Sequence, residues 1–431
     1  MNPQAAELNN TLEADGPIAL ALLSERGRRI FFPRKGVVAQ GLDAQGKSIN
    51  ASIGEAKEED GSPLRLSPLA KRINLPPSEV FTYASSFGKP AIRDRWATMI
   101  RTKNPSLGNT PISRPVVTNA LTHGLSVVAY MFVNQGDQII LPHLYWGNYR
   151  LIFAESCAAE MLTFPTFDSN QSDAAFNVSS LASCLSSNGE KKILLLNFPN
   201  NPTGYTPTEK EMNAIVDTVK KAAEAGKKIL TIVDDAYFGL VFRKGIAAES
   251  PFGKFASLHE NVVACKVDGA TKEDYVWGFR VGFISFAGKG LGTESLAALE
   301  DKAAGVVRGS ISNDSHLAQS LLLAAYDDPA YSSEKKRAFQ LLKSRHDAVV
   351  SVLEKHSEYA DRFVALPFNS GYFMCVRVGN GNAELVRQKL LKDYDTGIIA
   401  LDDLVRIAYS SLPTAQIPRL FANLYAACGE V

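Results

Sequence analysis

Between residues 115 and 286 the chain alternates short apolar runs with amphipathic stretches. Six runs, Pro115–Thr118, Gln138–Leu141, Ile193–Asn197, Ile229–Asp234, Val262–Val267 and Val281–Phe286, have the length and apolar continuity of strands buried on both faces. Helical stretches lie between them. One opens at Thr206-Pro207-Thr208-Glu209, read as an N-cap at Thr206, proline at the first helical position and glutamate three residues after the cap. Such alternation predicts an α/β fold, a mostly parallel sheet sandwiched by helices.

The pattern changes after about residue 315. A long helix is expected from His316 to Lys355, including the charged run Ser333-Glu334-Lys335-Lys336-Arg337. Strand-like segments follow around Phe363–Leu366, Tyr372–Val378 and Leu404–Tyr409, separated by helical stretches at Ala383–Tyr394 and Pro413–Ala427. This predicts a smaller α+β unit. The expected organisation is an N-terminal arm and part of the small domain (1–65), a large domain (66–318) and a C-terminal small domain (319–431).

Composition changes this picture little. A net charge of +1 over 431 residues gives no reason to expect nucleic acid or an anionic membrane as partner. The five cysteines are scattered without a CxxC pair and the six histidines without an HExxH cluster, so neither a metal site nor a disulfide framework is indicated. The opening MNPQAAELNN is polar, without an apolar signal core, and no run approaches a membrane span of roughly 18 residues; the expected compartment is the cytoplasm.

Five features could carry chemistry. Thr118-Asn119-Ala120-Leu121-Thr122-His123-Gly124 follows a strand and precedes an apolar stretch, a junction that suits a phosphate or is simply a polar turn. Leu144-Tyr145-Trp146-Gly147-Asn148-Tyr149 offers rings to stack on a flat ligand or to pack in the core. Asn197-Phe198-Pro199-Asn200-Asn201-Pro202-Thr203-Gly204 is a turn with amide donors. Asp234, in Asp234-Asp235-Ala236-Tyr237, ends an apolar strand, where open α/β sheets bind ligands and where a helix N-cap would also sit. Gly269-Ala270-Thr271-Lys272 precedes Trp277-Gly278-Phe279-Arg280-Val281-Gly282.

Together these blocks resemble the class I/II aminotransferases, pyridoxal-5′-phosphate (PLP) enzymes of fold type I of which aspartate aminotransferases are members. The resemblance runs from about Asn50 to Ala408 and rests on Asn-Pro-Thr-Gly, Asp-x-Ala-Tyr, and Lys272 with an Arg-x-Gly eight residues later. It implies that Lys272 forms the Schiff base with PLP, that Asp234 pairs with the pyridine nitrogen, and that Tyr237 and Asn201 donate to the ring hydroxyl. It also implies that Arg280, Leu121 and Thr122 hold the cofactor phosphate, that Trp146 stacks on the ring, and that Tyr83 reaches the phosphate of a neighbouring subunit in a homodimer with shared active sites. Arg406 would grip the substrate α-carboxylate, Gly54 would be the flexible glycine over the substrate, and Arg308, in Val306-Val307-Arg308-Gly309-Ser310-Ile311-Ser312-Asn313, would bind a side-chain carboxylate across the dimer interface.

The chain departs from the family pattern at Gly269, where members often have serine, at Ala120-Leu121 in the phosphate loop, and at Tyr149, where some members place histidine behind the aspartate. Thr271 is expected to replace the missing serine as a phosphate donor. The implied activity is amino transfer from an L-amino acid, aspartate/glutamate or aromatic, to a 2-oxo acid such as 2-oxoglutarate. The alternative is a PLP-dependent lyase or decarboxylase, since fold does not fix function. A PLP-dependent transcription regulator would need a DNA-binding domain, and the roughly 65 residues before the sheet contain neither a helix-turn-helix signal nor a basic patch.

Overall fold

The computed structural model describes the chain except residues 16–22, 24, 30–36, 53, 71–74, 170–171 and 380. Parts of the expected N-terminal arm, and Ile53 beside Gly54, therefore lie outside the described residues. A strand β1 (Ile49–Asn50) precedes the main sheet. That sheet contains β2 (Val116–Asn119), β3 (Gln138–Pro142), β4 (Glu160–Phe164), β5 (Lys191–Asn197), β6 (Lys228–Asp234), β7 (Val262–Gly269) and β8 (Val281–Ala287), in the order β2-β8-β7-β6-β5-β3-β4. Only β8 runs against its neighbours, β2 and β7. From Lys192 to Asn197 and from Ile229 to Asp234 every residue is buried, as befits central strands.

All six expected strands form, with ends shifted by one or two residues. β4 was not foreseen: at the sheet's edge it exposes Glu160 and Thr163, and its apolar run is broken accordingly.

Two helical expectations need correction. The helix over Glu209–Glu224 is capped by Thr208, not Thr206. The Thr208 hydroxyl accepts from Glu211 N at 3.2 Å, and the Glu211 carboxylate accepts from Thr208 N at 2.7 Å, a reciprocal capping box. Thr206 is buried, its hydroxyl 2.7 Å from the Ser370 hydroxyl and its amide donating to Asn369, so it is not free to cap. The single helix expected over 316–355 is two, His316–Tyr326 and Tyr331–Lys355. Pro329 lies in the break; it lacks an amide proton and disfavours helical backbone at Asp328.

A second sheet is antiparallel throughout. It contains β9 (Phe363–Ala365), β10 (Met374–Val378), β12 (Ile399–Leu401) and β13 (Leu404–Ile407), while β11 (Thr396–Gly397) pairs in parallel with β1. β10 starts later than its apolar run because Tyr372 and Phe373 follow a turn at Gly371, where φ is +72°. Among the described residues no helix is long and apolar enough to cross a membrane.

Candidate active site

The parallel strands β5, β6 and β7 end together at Asn197, Asp234 and Gly269, and a cavity of about 220 Å³ opens beyond them. Its wall contains Leu121, Thr122, Trp146, Asn201, Asp234, Tyr237, Thr271, Lys272 and Arg280, nine residues singled out in the sequence. Ala120, Tyr149, Asn197 and Ala236 complete it.

Asp234 is held from three sides. Its carboxylate accepts from the Tyr149 hydroxyl at 2.6 Å and from Ala236 N at 3.0 Å, and its backbone carbonyl accepts from the Asn197 side chain at 2.9 Å. Burial pushes this carboxyl above the usual carboxylate range, against the pull of Tyr149 and Lys272. The side-chain oxygen Oδ1 of Asn197 in turn accepts from Asn201 N at 2.8 Å, which ties the Asn-Pro-Thr-Gly turn to the strand ends. Gly204 closes that turn at φ +70°, and any side chain there would overlap the Phe373 carbonyl. Burial holds the Tyr237 phenol well above its ordinary range, with Arg406 and Asn201 pulling against that shift.

Lys272 sits on a one-turn helix, Ala270–Glu273, directly after β7, with its amine 5.2 Å from the centre of the Tyr237 ring. Burial lowers its basicity; Asp234 opposes that shift and Arg280 adds to it. The amine is thus biased toward its neutral, nucleophilic form.

The departure from the family pattern at Gly269 has a steric explanation. A Cβ at Gly269 would come within 2.7 Å of the Val281 carbonyl, and one at Gly282 within 2.6 Å of Ala120. β7, β8 and the loop after β2 therefore touch backbone to backbone, and no serine fits at 269. The loop is locked to β8 by Ala120 N donating to the Arg280 carbonyl at 2.9 Å. The nearby Thr271 hydroxyl is buried without a partner among the described residues.

Arg406 lies beside the cavity. One terminal nitrogen donates to Asn201 at 3.2 Å, the other to the Ser52 carbonyl at 3.1 Å, and Nε has no partner among the described residues. Its guanidinium carbon is 4.5 Å from the centre of the Phe373 ring, and a Cβ at Gly54 would meet that ring at 3.0 Å. Two expected site residues stand apart in the single chain. Tyr83 is 88% exposed, and Arg308, exposed in the last turn of the helix Thr293–Ser310, donates to the Ser312 hydroxyl at 2.9 Å.

Sequence reasoning missed the contributions of Asn197, Ser52 and Phe373. Asn197 was within reach, since it ends an apolar strand as Asp234 does. Ser52 and Phe373 join the site only by long-range packing.

The model of the family "Aminotransferase class I and II" matches residues 47–424. The aspartate aminotransferase of Musicola paradisiaca is 27% identical over 173 residues, 39% of either protein. That of Bacillus sp. strain YM-2 is 25% identical over 305 residues, 70% of this chain and 69% of the relative. The match to the Musicola enzyme thus spans well under two thirds of its length. An aminotransferase structure from Anaerococcus prevotii superposes with a TM-score of 0.82 at 24% identity, covering 92% of this chain and 98% of the other. The likeness in structure establishes the expected fold type I, a mostly parallel sheet flanked by helices. With the family model matched over nearly its whole length, the chain belongs to the class I and II aminotransferases.

Proposed function

We propose that this protein is a PLP-dependent aminotransferase moving an amino group from an L-amino acid to a 2-oxo acid, with Lys272 as the cofactor-bound lysine. The observation that carries this reading is a buried lysine of lowered basicity sharing one cavity with a buried aspartate. The cavity fits PLP. The unpartnered Thr271 hydroxyl, Arg280 and the helix start at Ala120 suit a phosphate, and Trp146 offers a ring to stack on. Bound there, PLP supplies an aldehyde for the amino group and an electron-withdrawing ring.

The chain's residues do the rest. Lys272, neutral when released, carries a proton as general base and then acid. Asp234 offers a negative charge for a ring nitrogen, and Tyr237 with Asn201 offers donors for a ring oxygen. Arg406, with a spare Nε–H and two bonds to neutral acceptors that it can exchange, suits the substrate α-carboxylate. Phe373 covers one face of its guanidinium, and Gly54 lies close against that ring.

The substrate reading is aspartate or glutamate with 2-oxoglutarate, or an aromatic donor, with Arg308 of a second copy taking a side-chain carboxylate. Relatives named aspartate aminotransferase support it. Residues 66–318 would form the cofactor domain, and 1–65 with 319–431 the smaller one; the β1–β11 pairing supports that grouping.

Borohydride treatment of the PLP-loaded protein should fix a pyridoxyl group on Lys272 alone. Lys272→Ala should lose several orders of magnitude in turnover. Mapping of the pyridoxyl group to another lysine would sink the assignment, and release of carbon dioxide instead of a 2-oxo acid would favour the decarboxylase alternative.

A further inference from the structure

The turn that carries Lys272 is gripped by side chains from much later in the chain. The helix Ala270–Glu273 is a single turn, too short to be stable alone, and its carbonyls are open to outside partners. The Lys272 carbonyl accepts from the Tyr372 hydroxyl at 3.3 Å, and the Glu273 carbonyl accepts from the Lys335 ammonium. Lys335 belongs to the helix Tyr331–Lys355, and Tyr372 precedes β10.

Both donors are themselves fixed. Lys335 pairs with Asp274 at 3.0 Å, and Asp274 accepts from the hydroxyls of Tyr326 at 2.9 Å and Tyr331 at 2.6 Å. Glu273 pairs with Lys103, and with Lys335 at 3.7 Å. Burial pushes the Asp274 carboxyl up, but Lys335, Tyr331 and Lys103 outweigh it and hold the group below the usual carboxylate range. Tyr372 is fully buried, and its ring meets Tyr237 edge-on, centres 5.1 Å apart. Tyr237 is the ring that faces the Lys272 amine, and Phe373, next in sequence, is the ring against Arg406.

We propose that Lys335 and Tyr372 are positioning residues, a two-point clamp that sets where the Lys272 amine sits and links it through Phe373 to Arg406. No part of the proposed chemistry uses either side chain. Both hold the backbone of the reacting lysine's turn, where a displacement of about 1 Å costs about a hundredfold in rate.

The clamp rests on Lys272 being the cofactor lysine, which borohydride mapping of the parent protein tests separately; if that fails, the functional reading fails and not the geometry of the grip. The clamp is tested on the PLP-loaded variants Tyr372→Phe, Lys335→Arg and Lys335→Met. Tyr372→Phe removes one hydroxyl and keeps the ring. It should lower kcat about tenfold, change KM less than about twofold, and shift the pH midpoint of the cofactor's visible absorbance. Lys335→Met should lose about a hundredfold in kcat, and Lys335→Arg, keeping charge and donors, should recover most of it. A purely structural role predicts lowered melting temperatures with kcat and the absorbance midpoint as in the parent, and that result would overturn the proposal. If Lys335→Met does not fold, Tyr372→Phe decides alone: parent-like kcat and midpoint refute the clamp.

Discussion

Asp234 carries its charge where a charge is costly, at the bottom of a cavity and cut off from water. Burial raises its pKa, and the Tyr149 hydroxyl, 2.6 Å away, works against that shift. A phenol has one proton to give and, being far from its own ionisation, gives it as a neutral donor. Removing it leaves Asp234 harder to ionise. Tyr149→Phe should therefore cost about 1.5–3 kcal/mol of stabilisation of the anion, the range for a hydrogen bond to a charged group. Because the anionic form is the working one, the acid limb of the kcat/KM profile should move to higher pH. An acid limb unchanged from the parent would show that Tyr149 does not tune Asp234.

At the scale of elements, the capping box on the helix Glu209–Glu224 is worth testing because it lies two residues from where its sequence first suggests. Thr208→Ala should cost about 1 kcal/mol in urea unfolding, and Thr208→Ser should restore it. Equal stability of Thr208→Ala and the parent would show the cap to be idle. The shift from Thr206 illustrates what was legible in the sequence. Thr206 and Thr208 both precede a glutamate at the right distance, and only the burial of Thr206 against Asn369 and Ser370, more than a hundred and sixty residues away, decides between them. Strands buried on both faces announced themselves as unbroken apolar runs, whereas the edge strand β4, half exposed, did not. The site divides in the same way. Lys272, Asp234, Asn201 and Arg280 lie in short blocks whose spacing is recognisable. Phe373, Tyr372 and Lys335 reach the same place through turns and helix contacts that leave no local trace. Gly269 was legible as a departure, but its reason, the close approach of Val281, belongs to the folded chain.

For the whole molecule, the residues that do not reach their own cavity are the most telling. Phe81 and Tyr83, two positions apart in sequence, are 83% and 88% exposed, and Arg308 is also exposed. A second copy covering them would bring Tyr83 and Arg308 to its partner's site. Sedimentation should find a dimer, and Arg308→Leu should lose about 30-fold or more on aspartate while leaving phenylalanine nearly untouched, as expected for a lost ion pair of about 2–4 kcal/mol. A fully active monomer, or an equal loss on both substrates, would count against shared sites.

The pairing of β1 with β11 has a consequence in time. Ile49 and Asn50 leave the ribosome long before their partners Thr396 and Gly397. At about 5–20 residues per second the gap is on the order of tens of seconds. In the later part of it, once β8 has emerged, every strand of the sheet behind Asp234 and Lys272 is present, while the early strand has no edge to join and Arg406 does not yet exist. A nascent chain of this protein is thus able to build the floor of its cavity before the group proposed to receive the substrate carboxylate is made, and β1 finds its partner only after the strands of that floor have emerged.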